Sequence, residues 1–128
     1  MSTWDILRAK CPRLYKNGIA FECASGWYEI LHDLSIKIEK ILEDYAERHK
    51  VVESEENETI EIFAVQVKEK YGTLRFYMSF ATDEINDLIS DAEVLSSQTC
   101  ESCGAPAKMR GKFWLEVKCD KCYEEKHE

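Results

Sequence analysis

Two Cys-x-x-Cys pairs constrain the fold of this chain more than any other feature of its sequence. Cys100 and Cys103 form the first pair, Cys119 and Cys122 form the second, and fifteen residues separate the two pairs. Two residues between ligands let the backbone curl around one ion, and the insert is long enough for a β-hairpin. The spacing therefore predicts a tetrahedral site in which all four cysteines bind one Zn²⁺, with iron or redox disulfides as the alternatives.

The segment around these pairs predicts a small metal-dependent module at residues 98–128. Residues 108–110 and 113–118 are expected to be strands around Gly111, and Cys119 is expected to open a short helix. That order is typical of a treble clef, whereas a second knuckle in place of the helix would make a zinc ribbon. Four thiolates leave no open position on the ion, so we expect a structural zinc. Because about thirty residues bury too little apolar surface to fold alone, chelation should unfold this module while the preceding residues survive.

Residues 1–97 are expected to form the body of an α+β protein. A short helix is predicted at residues 3–10, capped by Thr3 and stopped by Pro12, and a short strand is predicted at residues 19–22. A long helix should start from Ser25 as its N-cap and end near His49, followed by a polar, acid-rich loop at residues 53–59. The helical spacing predicts a core-facing stripe of Trp27, Ile30, Leu31, Leu34, Ile38, Ile41, Leu42 and Tyr45.

A β-hairpin and a second main helix complete the predicted body. The hairpin should turn at Tyr71-Gly72, with Phe63, Val65, Val67, Leu74, Phe76, Met78 and Phe80 on its apolar face. The opposite face is a possible partner-binding surface, made of Gln66, Lys68, Lys70, Arg75 and Tyr77. The second helix should follow the Thr82 cap over residues 83–96 and bury Ile85, Leu88, Ile89, Ala92 and Leu95. The predicted architecture is thus two main helices packed on an antiparallel hairpin, plus the zinc module.

The charge of the chain is strongly negative and unevenly distributed. The formal net charge is −8, with ten acids against four bases in residues 25–58, and five acids without a base in residues 81–99. A net-acidic protein is repelled by phosphate, which disfavours nucleic acid as a partner. The sequence has no run of eighteen apolar residues that could span a membrane, and its first residues lack the apolar stretch of a signal peptide. We therefore expect a cytoplasmic protein with reduced cysteines.

The basic residues of the zinc module have two interpretations. Lys108, Arg110 and Lys112 lie beside Phe113 and Trp114, so the hairpin is a possible phosphate-binding and base-stacking surface. The alternative is a solvated hairpin whose aromatic side chains pack inward. Equal numbers of acids and bases in residues 100–128 favour the alternative.

The remaining chemistry-bearing residues do not assemble into an active site. Cys11 and Cys23 are expected to be small buried hydrophobes, and His32 or His49 would join a metal site only through the fold. His127 is expected to be solvated. There is no phosphate-binding glycine loop, zinc-protease motif or nucleophile elbow. The sequence therefore predicts that the protein is not an enzyme.

Three stretches together resemble a family of small bacterial and bacteriophage proteins. They are Gly26-Trp27 at the opening of the long helix, VQVKEKYGTLRFY at residues 65–77, and SSQTCESCG at residues 96–104. The resemblance covers most of residues 25–123, and the hairpin stretch is its most specific part. It implies a prokaryotic or phage setting and a metal-binding end, but no established activity and no catalytic residues.

These observations support three hypotheses for function. The first is a small acidic, zinc-stabilised interaction protein of bacterial or phage origin, which binds a host or defence protein and acts as an inhibitor or a nucleic-acid mimic. The second is a nucleic-acid-binding or transcription accessory protein that acts through the zinc hairpin. The third is a redox protein or enzyme that uses its Cys-x-x-Cys pairs, and tightly bound zinc would argue against it.

Overall fold

The computed structural model describes residues 3–49 and 61–127. Within those residues the chain forms four α-helices and two small sheets, which confirms the α+β class. The helices are α1 (Thr3–Lys10), α2 (Tyr28–His49), α3 (Asp83–Ser96) and α4 (Asp120–His127), with a 3₁₀ turn at Ser25–Trp27. The strands are β1 (Phe21–Glu22), β2 (Ala64–Lys70), β3 (Thr73–Met78), β4 (Lys108–Arg110) and β5 (Glu116–Lys118). The loop predicted at residues 53–59 lies outside the described residues.

The larger sheet contains the predicted hairpin and one additional strand. β2 and β3 pair antiparallel across Tyr71 and Gly72, whose φ angles of 54° and 87° give the left-handed backbone that a tight hairpin turn requires. β1 lies within the strand predicted at residues 19–22 and pairs parallel with β2, with Phe21 opposite Val67. The sheet order is therefore β1-β2-β3, with β2 in the centre.

The main core lies between the larger sheet and helices α1, α2 and α3. The periodicity of α2 is confirmed, because its expected core stripe is buried or half-buried along its length. α3 follows the Thr82 cap as predicted, with the Thr82 hydroxyl accepting the Ile85 N–H. The fully buried residues include Trp27, Leu7, Leu14, Leu31, Ile38, Leu74, Ile85 and Val67.

Several predicted core or cap positions are wrong, and each has a local cause. The register of β2 shifts between Ala64 and Gln66, so the strict alternation fails there and Val65 is half exposed while Ala64 is buried. Phe80 lies beyond the end of β3 and is exposed. Leu95 is exposed, and Ser96 takes its place in the interior of the last turn of α3. Ser25 does not cap α2, because it is the first residue of a 3₁₀ turn that precedes the helix. The N-cap of that turn is Ala24, which makes no side-chain hydrogen bond.

The outer edge of β3 is covered by side chains from α3. The N–H of Leu74 donates to Ser96 Oγ at 2.9 Å, and the N–H of Phe76 donates to Glu93 Oε2 at 3.3 Å. These bonds satisfy backbone donors that an edge strand would otherwise present to another chain. Helix α3 therefore closes this side of the sheet.

The carboxyl-terminal region forms in the predicted order of knuckle, hairpin and helix. β4 and β5 pair antiparallel, with Met109 opposite Val117, and α4 follows directly after Cys119. β5 is shorter than the strand expected over residues 113–118. Whether this region belongs to the treble clefs or the zinc ribbons stays a prediction. Among the described helices, none combines the length and apolar composition needed to cross a bilayer.

Candidate metal centre and aromatic cleft

The four cysteines predicted as ligands converge in the structure. The Sγ atoms of Cys100, Cys103, Cys119 and Cys122 all lie within 4.8 Å of one another. The Sγ atoms of Cys103 and Cys119 are 3.7 Å apart, well beyond the length of a disulfide bond. This group can therefore hold a metal ion, as the spacing of the two pairs predicts.

The first pair lies in a tight turn that its own backbone closes. The N–H of Cys100 donates to the Ala105 carbonyl, and the N–H of Gly104 donates to the Cys100 carbonyl, both at 2.8 Å. Gly104 has a φ of 82°, a conformation that favours glycine. Cys100 is fully buried whereas Cys103 is exposed, so the first pair has one interior and one solvent-facing thiol.

The second pair lies at the start of α4. Cys119 immediately precedes the helix, its carbonyl accepts the Tyr123 N–H at 3.0 Å, and its Sγ accepts the Cys122 N–H at 3.4 Å. The Cys122 N–H is directed at the Cys119 sulfur, so the two thiols of the pair are held close together in the first helical turn. The start of the helix therefore positions the second pair.

The pKa values of the four thiols reflect their crowding. Burial opposes ionisation of Cys100, but backbone N–H groups of Cys119, Cys103 and Ser102 lower the pKa of its thiol to about 6. Hydrogen bonds with the thiols of Cys119 and Cys103 raise the pKa of Cys122 to about 12. One thiol therefore ionises readily, and further ionisation places like charges together. A divalent cation would relieve that repulsion, which is the coupling expected for a metal site.

The first pair is also bonded to the amino-terminal part of the core. The N–H of Gly26 donates to the Glu101 carbonyl at 2.6 Å, and the Ala24 N–H donates to Glu101 Oε2 at 3.0 Å. The indole of buried Trp27 donates to the Thr99 carbonyl at 3.0 Å. These contacts join the metal-binding turn to the segment that begins α2.

The three residues considered for nucleic-acid binding do not form one surface. Lys108 and Arg110 line a hollow beside Cys119 and Asp120, and Arg110 is bonded to the Lys118 carbonyl and the Asp120 carboxylate. Lys112 lies exposed in the loop between β4 and β5. Arg110 is therefore committed to internal contacts, whereas Lys108 and Lys112 point to solvent at separate places.

The expectation that the hairpin aromatics pack inward is wrong. Phe113 is fully exposed and Trp114 is 74% exposed. Together with the turn between β2 and β3 they line a cavity of about 320 Å³, named here the aromatic cleft. Its residues are Glu69, Lys70, Tyr71, Phe113, Trp114 and Leu115.

Sequence reasoning missed the Tyr71 side of this cleft, since Tyr71 and Leu115 are distant along the chain. One signal for the exposed rings was available. Phe113 and Trp114 are adjacent, and in the strand predicted over residues 113–118 neighbouring side chains would point to opposite sides. They could not both have faced the interior of so short a hairpin.

The residues considered for partner binding lie together on the β2–β3 hairpin. Gln66 is opposite Tyr77 and Lys68 is opposite Arg75, so these four share the face away from the core. Gln66 also donates to Glu22 on β1 at 3.2 Å, and Arg75 bonds to Thr73. Lys70 lies apart at the turn, with its ammonium over the Tyr71 ring. Lys70 therefore lines the aromatic cleft at the end of this face.

The remaining thiols and the described imidazole lie away from the metal centre. Burial and the carboxylates of Glu39 and Glu43 raise the pKa of Cys11 to about 11. Burial and the carboxylates of Glu101 and Glu69 raise the pKa of Cys23 to about 12. Both thiols pack in or against the core, in line with the small-hydrophobe interpretation. His32 contacts Asp33 and is outside the cysteine group, while the side chains of His49 and His127 are outside the described part of the structure.

Fold and site together define a small α+β protein with a four-cysteine group able to hold a metal ion. No family model matches the chain, and no curated protein or solved structure was found to match it. The proposals below therefore rest on the chain's own geometry.

Proposed function

We propose that this chain is a non-enzymatic, zinc-stabilised binding protein, in which the ion holds the β4–β5 hairpin and its exposed aromatic side chains for contact with a macromolecular partner. The observation that carries the proposal is the exposure of Phe113 and Trp114, which lie in the insert between the two cysteine pairs. Large apolar groups exposed together are typical of interaction sites. A metal at the base of the hairpin would fix their position.

Zinc suits the four-cysteine group in its chemistry, and one of the sulfur–sulfur separations matches the dimensions of a zinc site. A tetrahedral ion with Zn–S bonds of about 2.3 Å places its sulfurs about 3.8 Å apart. The 3.7 Å separation of the Cys103 and Cys119 Sγ atoms is close to that value. Four thiolates complete the coordination of Zn²⁺, so no position remains for a water or a substrate. The ion would thus be structural, which supports a binding role over catalysis.

A second binding surface supports the hypothesis that the protein occupies a basic groove of a host or defence protein. Helix α3 contains no lysine or arginine, and its exposed acids Asp83, Asp87 and Asp91 recur at a spacing of four residues, on one side of the helix. Such a row presents negative charge in the way a nucleic-acid backbone does. A bacterial or phage origin and a cytoplasmic location fit this role.

Affinity purification from a bacterial lysate, with metal analysis of the same sample, tests the proposal. We expect one zinc per chain and a specific partner that is lost in the Phe113→Ala/Trp114→Ala variant. A Phe80→Ala variant is the control, since Phe80 is an exposed aromatic residue outside the cleft. Loss of the partner in Asp87→Lys/Asp91→Lys instead would assign binding to α3. A metal-free protein, or one whose partner survives all these changes, would contradict the proposal.

A further inference from the structure

The aromatic cleft is held in place by close packing between two hairpins. The position where a Gly72 side chain would begin is 3.2 Å from the Leu115 backbone and 2.5 Å from Met109 Sδ. The Gly72 N–H also donates to Glu69 Oε2 at 2.7 Å. The β2–β3 turn therefore rests directly on the β4–β5 hairpin. The backbone segments that carry the rings therefore keep a fixed relation to each other.

The cleft presents three rings to solvent. The exposed fractions are 69% for Tyr71, 74% for Trp114 and full exposure for Phe113. Rings left this open can accept a flat partner on their faces, and nucleic-acid bases stack on aromatic side chains without regard to sequence. An aromatic surface of this kind is a stacking platform rather than a pocket that encloses a small molecule.

Two lysines next to the rings are more exposed than the one carboxylate that lines the cleft, although the chain as a whole is acidic. Lys70 and Lys112 are exposed at the turn and in the loop beside Phe113. The carboxylate of Glu69 is bonded to the Gly72 N–H and is only partly exposed. Most acids of the described chain lie on α2 and α3, away from the residues that line the cleft. The exposed lysines can therefore attract phosphate groups, and the rings can stack against nucleic-acid bases.

We propose that the aromatic cleft binds single-stranded nucleic acid, with bases stacked on Tyr71, Phe113 and Trp114 and phosphates near Lys70 and Lys112. The inference rests on the proposed function, because it needs the β4–β5 hairpin to be the binding element. A single strand is favoured over a duplex because the faces of paired bases are not accessible for stacking. The acidic helices restrict an approaching strand to this end of the molecule through repulsion.

Fluorescence anisotropy of the zinc-loaded chain with a labelled oligothymidylate of about 12 nucleotides tests the inference. Substitution of Trp114 or Tyr71 by alanine should each weaken binding at least about fivefold, since each removes one stacking surface. Phe80→Ala should leave affinity unchanged. Lys112→Glu should reduce the dependence of affinity on salt between about 0.05 and 0.2 M, whereas Lys108→Glu, on the separate hollow, should not. An oligouridylate of equal length distinguishes RNA from DNA as the preferred strand.

Three outcomes would overturn the inference. These are an absence of binding by the folded, zinc-loaded chain, equal affinity for the duplex of the same length, and binding that survives both ring substitutions. If the oligonucleotide fails to bind while the purified protein partner still depends on Phe113 and Trp114, the nucleic-acid inference is wrong and the proposed function stands. If neither ligand depends on the rings, both are wrong.

Discussion

Gly26 joins the metal-binding turn to the helical body because it has no side chain. A Cβ at this position would collide with the carbonyl oxygens of Cys100 and Glu101. The close approach allows the Gly26 N–H to donate to Glu101 at 2.6 Å. From the sequence, Gly26 marked only the opening of a helix. Its packing role depends on residues more than seventy positions later, which local patterns do not reveal.

We expect Gly26→Ala to lower the free energy of unfolding by about 1–3 kcal/mol, because the methyl group forces the two segments apart. Zinc affinity should fall with it, since Cys100 lies at the contact. Urea unfolding and zinc competition titrations measure the two effects. Gly18→Asn is the control, because Gly18 has a φ of 60° and open space around it, and asparagine tolerates that conformation. An unchanged zinc affinity in Gly26→Ala would contradict the coupling.

The six thiols should divide into two classes of reactivity. A raised pKa keeps a thiol protonated, so at pH 8 only about one in a thousand Cys11 side chains is a thiolate, given its pKa of about 11. Cys23 should be slower still, since its pKa is about 12. Alkylation followed by mass spectrometry should modify the four clustered cysteines after chelation, because the metal-free segment unfolds and the thiols of Cys103 and Cys122 lose the contacts that raise their pKa values. Cys11 and Cys23 pack in or against the core and should remain unmodified. Rapid modification of Cys11 in the folded chain would show that its burial is wrong.

The positions of single residues were predictable where metal-ligand chemistry sets their spacing. The burial of single residues was unpredictable where it depends on packing against neighbouring elements. The convergence of Cys100 with the other three cysteines followed from their spacing alone. The exposure of Val65 and Leu95 did not, because a register shift in β2 and the inward turn of Ser96 depend on neighbouring elements. The outward position of Phe113 and Trp114 required the hairpin geometry.

At the scale of the element, α3 both packs on β3 and completes its hydrogen bonding. The Ser96 hydroxyl is buried, accepts the Leu74 N–H and donates to the Glu93 carbonyl at 2.6 Å. A hydroxyl in the last helical turn thus satisfies a backbone donor of the sheet. Hydroxyl groups are well suited to this task because they donate and accept at once.

Ser96→Ala should lower the free energy of unfolding by about 1–3 kcal/mol, because it leaves the buried Leu74 N–H without an acceptor. Ser97→Ala is a matched control. Its hydroxyl also bonds to the carbonyl three residues earlier, but at the surface, so we expect a loss below about 0.5 kcal/mol. Thermal and urea unfolding of both variants provide the comparison. Equal losses would show that the Leu74 bond contributes nothing specific.

The long elements were predictable from periodicity, and their junctions were not. The apolar stripe of α2 and the Thr82 cap of α3 agree with the prediction. The parallel pairing of β1 with β2 was missed, since two residues carry too little pattern to show a partner. The 3₁₀ turn at Ser25–Trp27 was missed because Ser25 resembles a cap in sequence.

At the scale of the whole molecule, contacts cross the boundary that the sequence suggested at residue 97. The Thr99 carbonyl accepts a hydrogen bond from the Trp27 indole, and Glu101 accepts hydrogen bonds from the backbone N–H groups of Ala24 and Gly26. The side chain of Met109 packs against Gly72. The segment that carries the four cysteines therefore supports part of the main core as well as its own hairpin. The composition of residues 98–128 gave no sign of this support, because the bonds involve backbone atoms.

Metal removal should therefore open the surroundings of Trp27 while α2 and α3 persist. In a Trp4→Phe/Trp114→Phe background, chelation should shift Trp27 emission to longer wavelength, because buried Trp27 loses its bond to Thr99. Far-ultraviolet circular dichroism should retain most helical signal. A variant that keeps only Trp114 is the control, since that ring is already exposed and should shift little. Unchanged Trp27 emission in protein verified to be zinc-free would contradict this coupling.

The bond between Trp27 and Thr99 also bears on the order in which the chain matures on the ribosome. The indole emerges early, but its acceptor is synthesised 72 residues later. Residues near the start of α2 therefore cannot complete their packing until the first cysteine pair leaves the exit tunnel. The four-cysteine group is complete only after Cys119 and Cys122 have also emerged, so the supply of a metal ion at that later moment would set how long the nascent chain remains vulnerable to proteases.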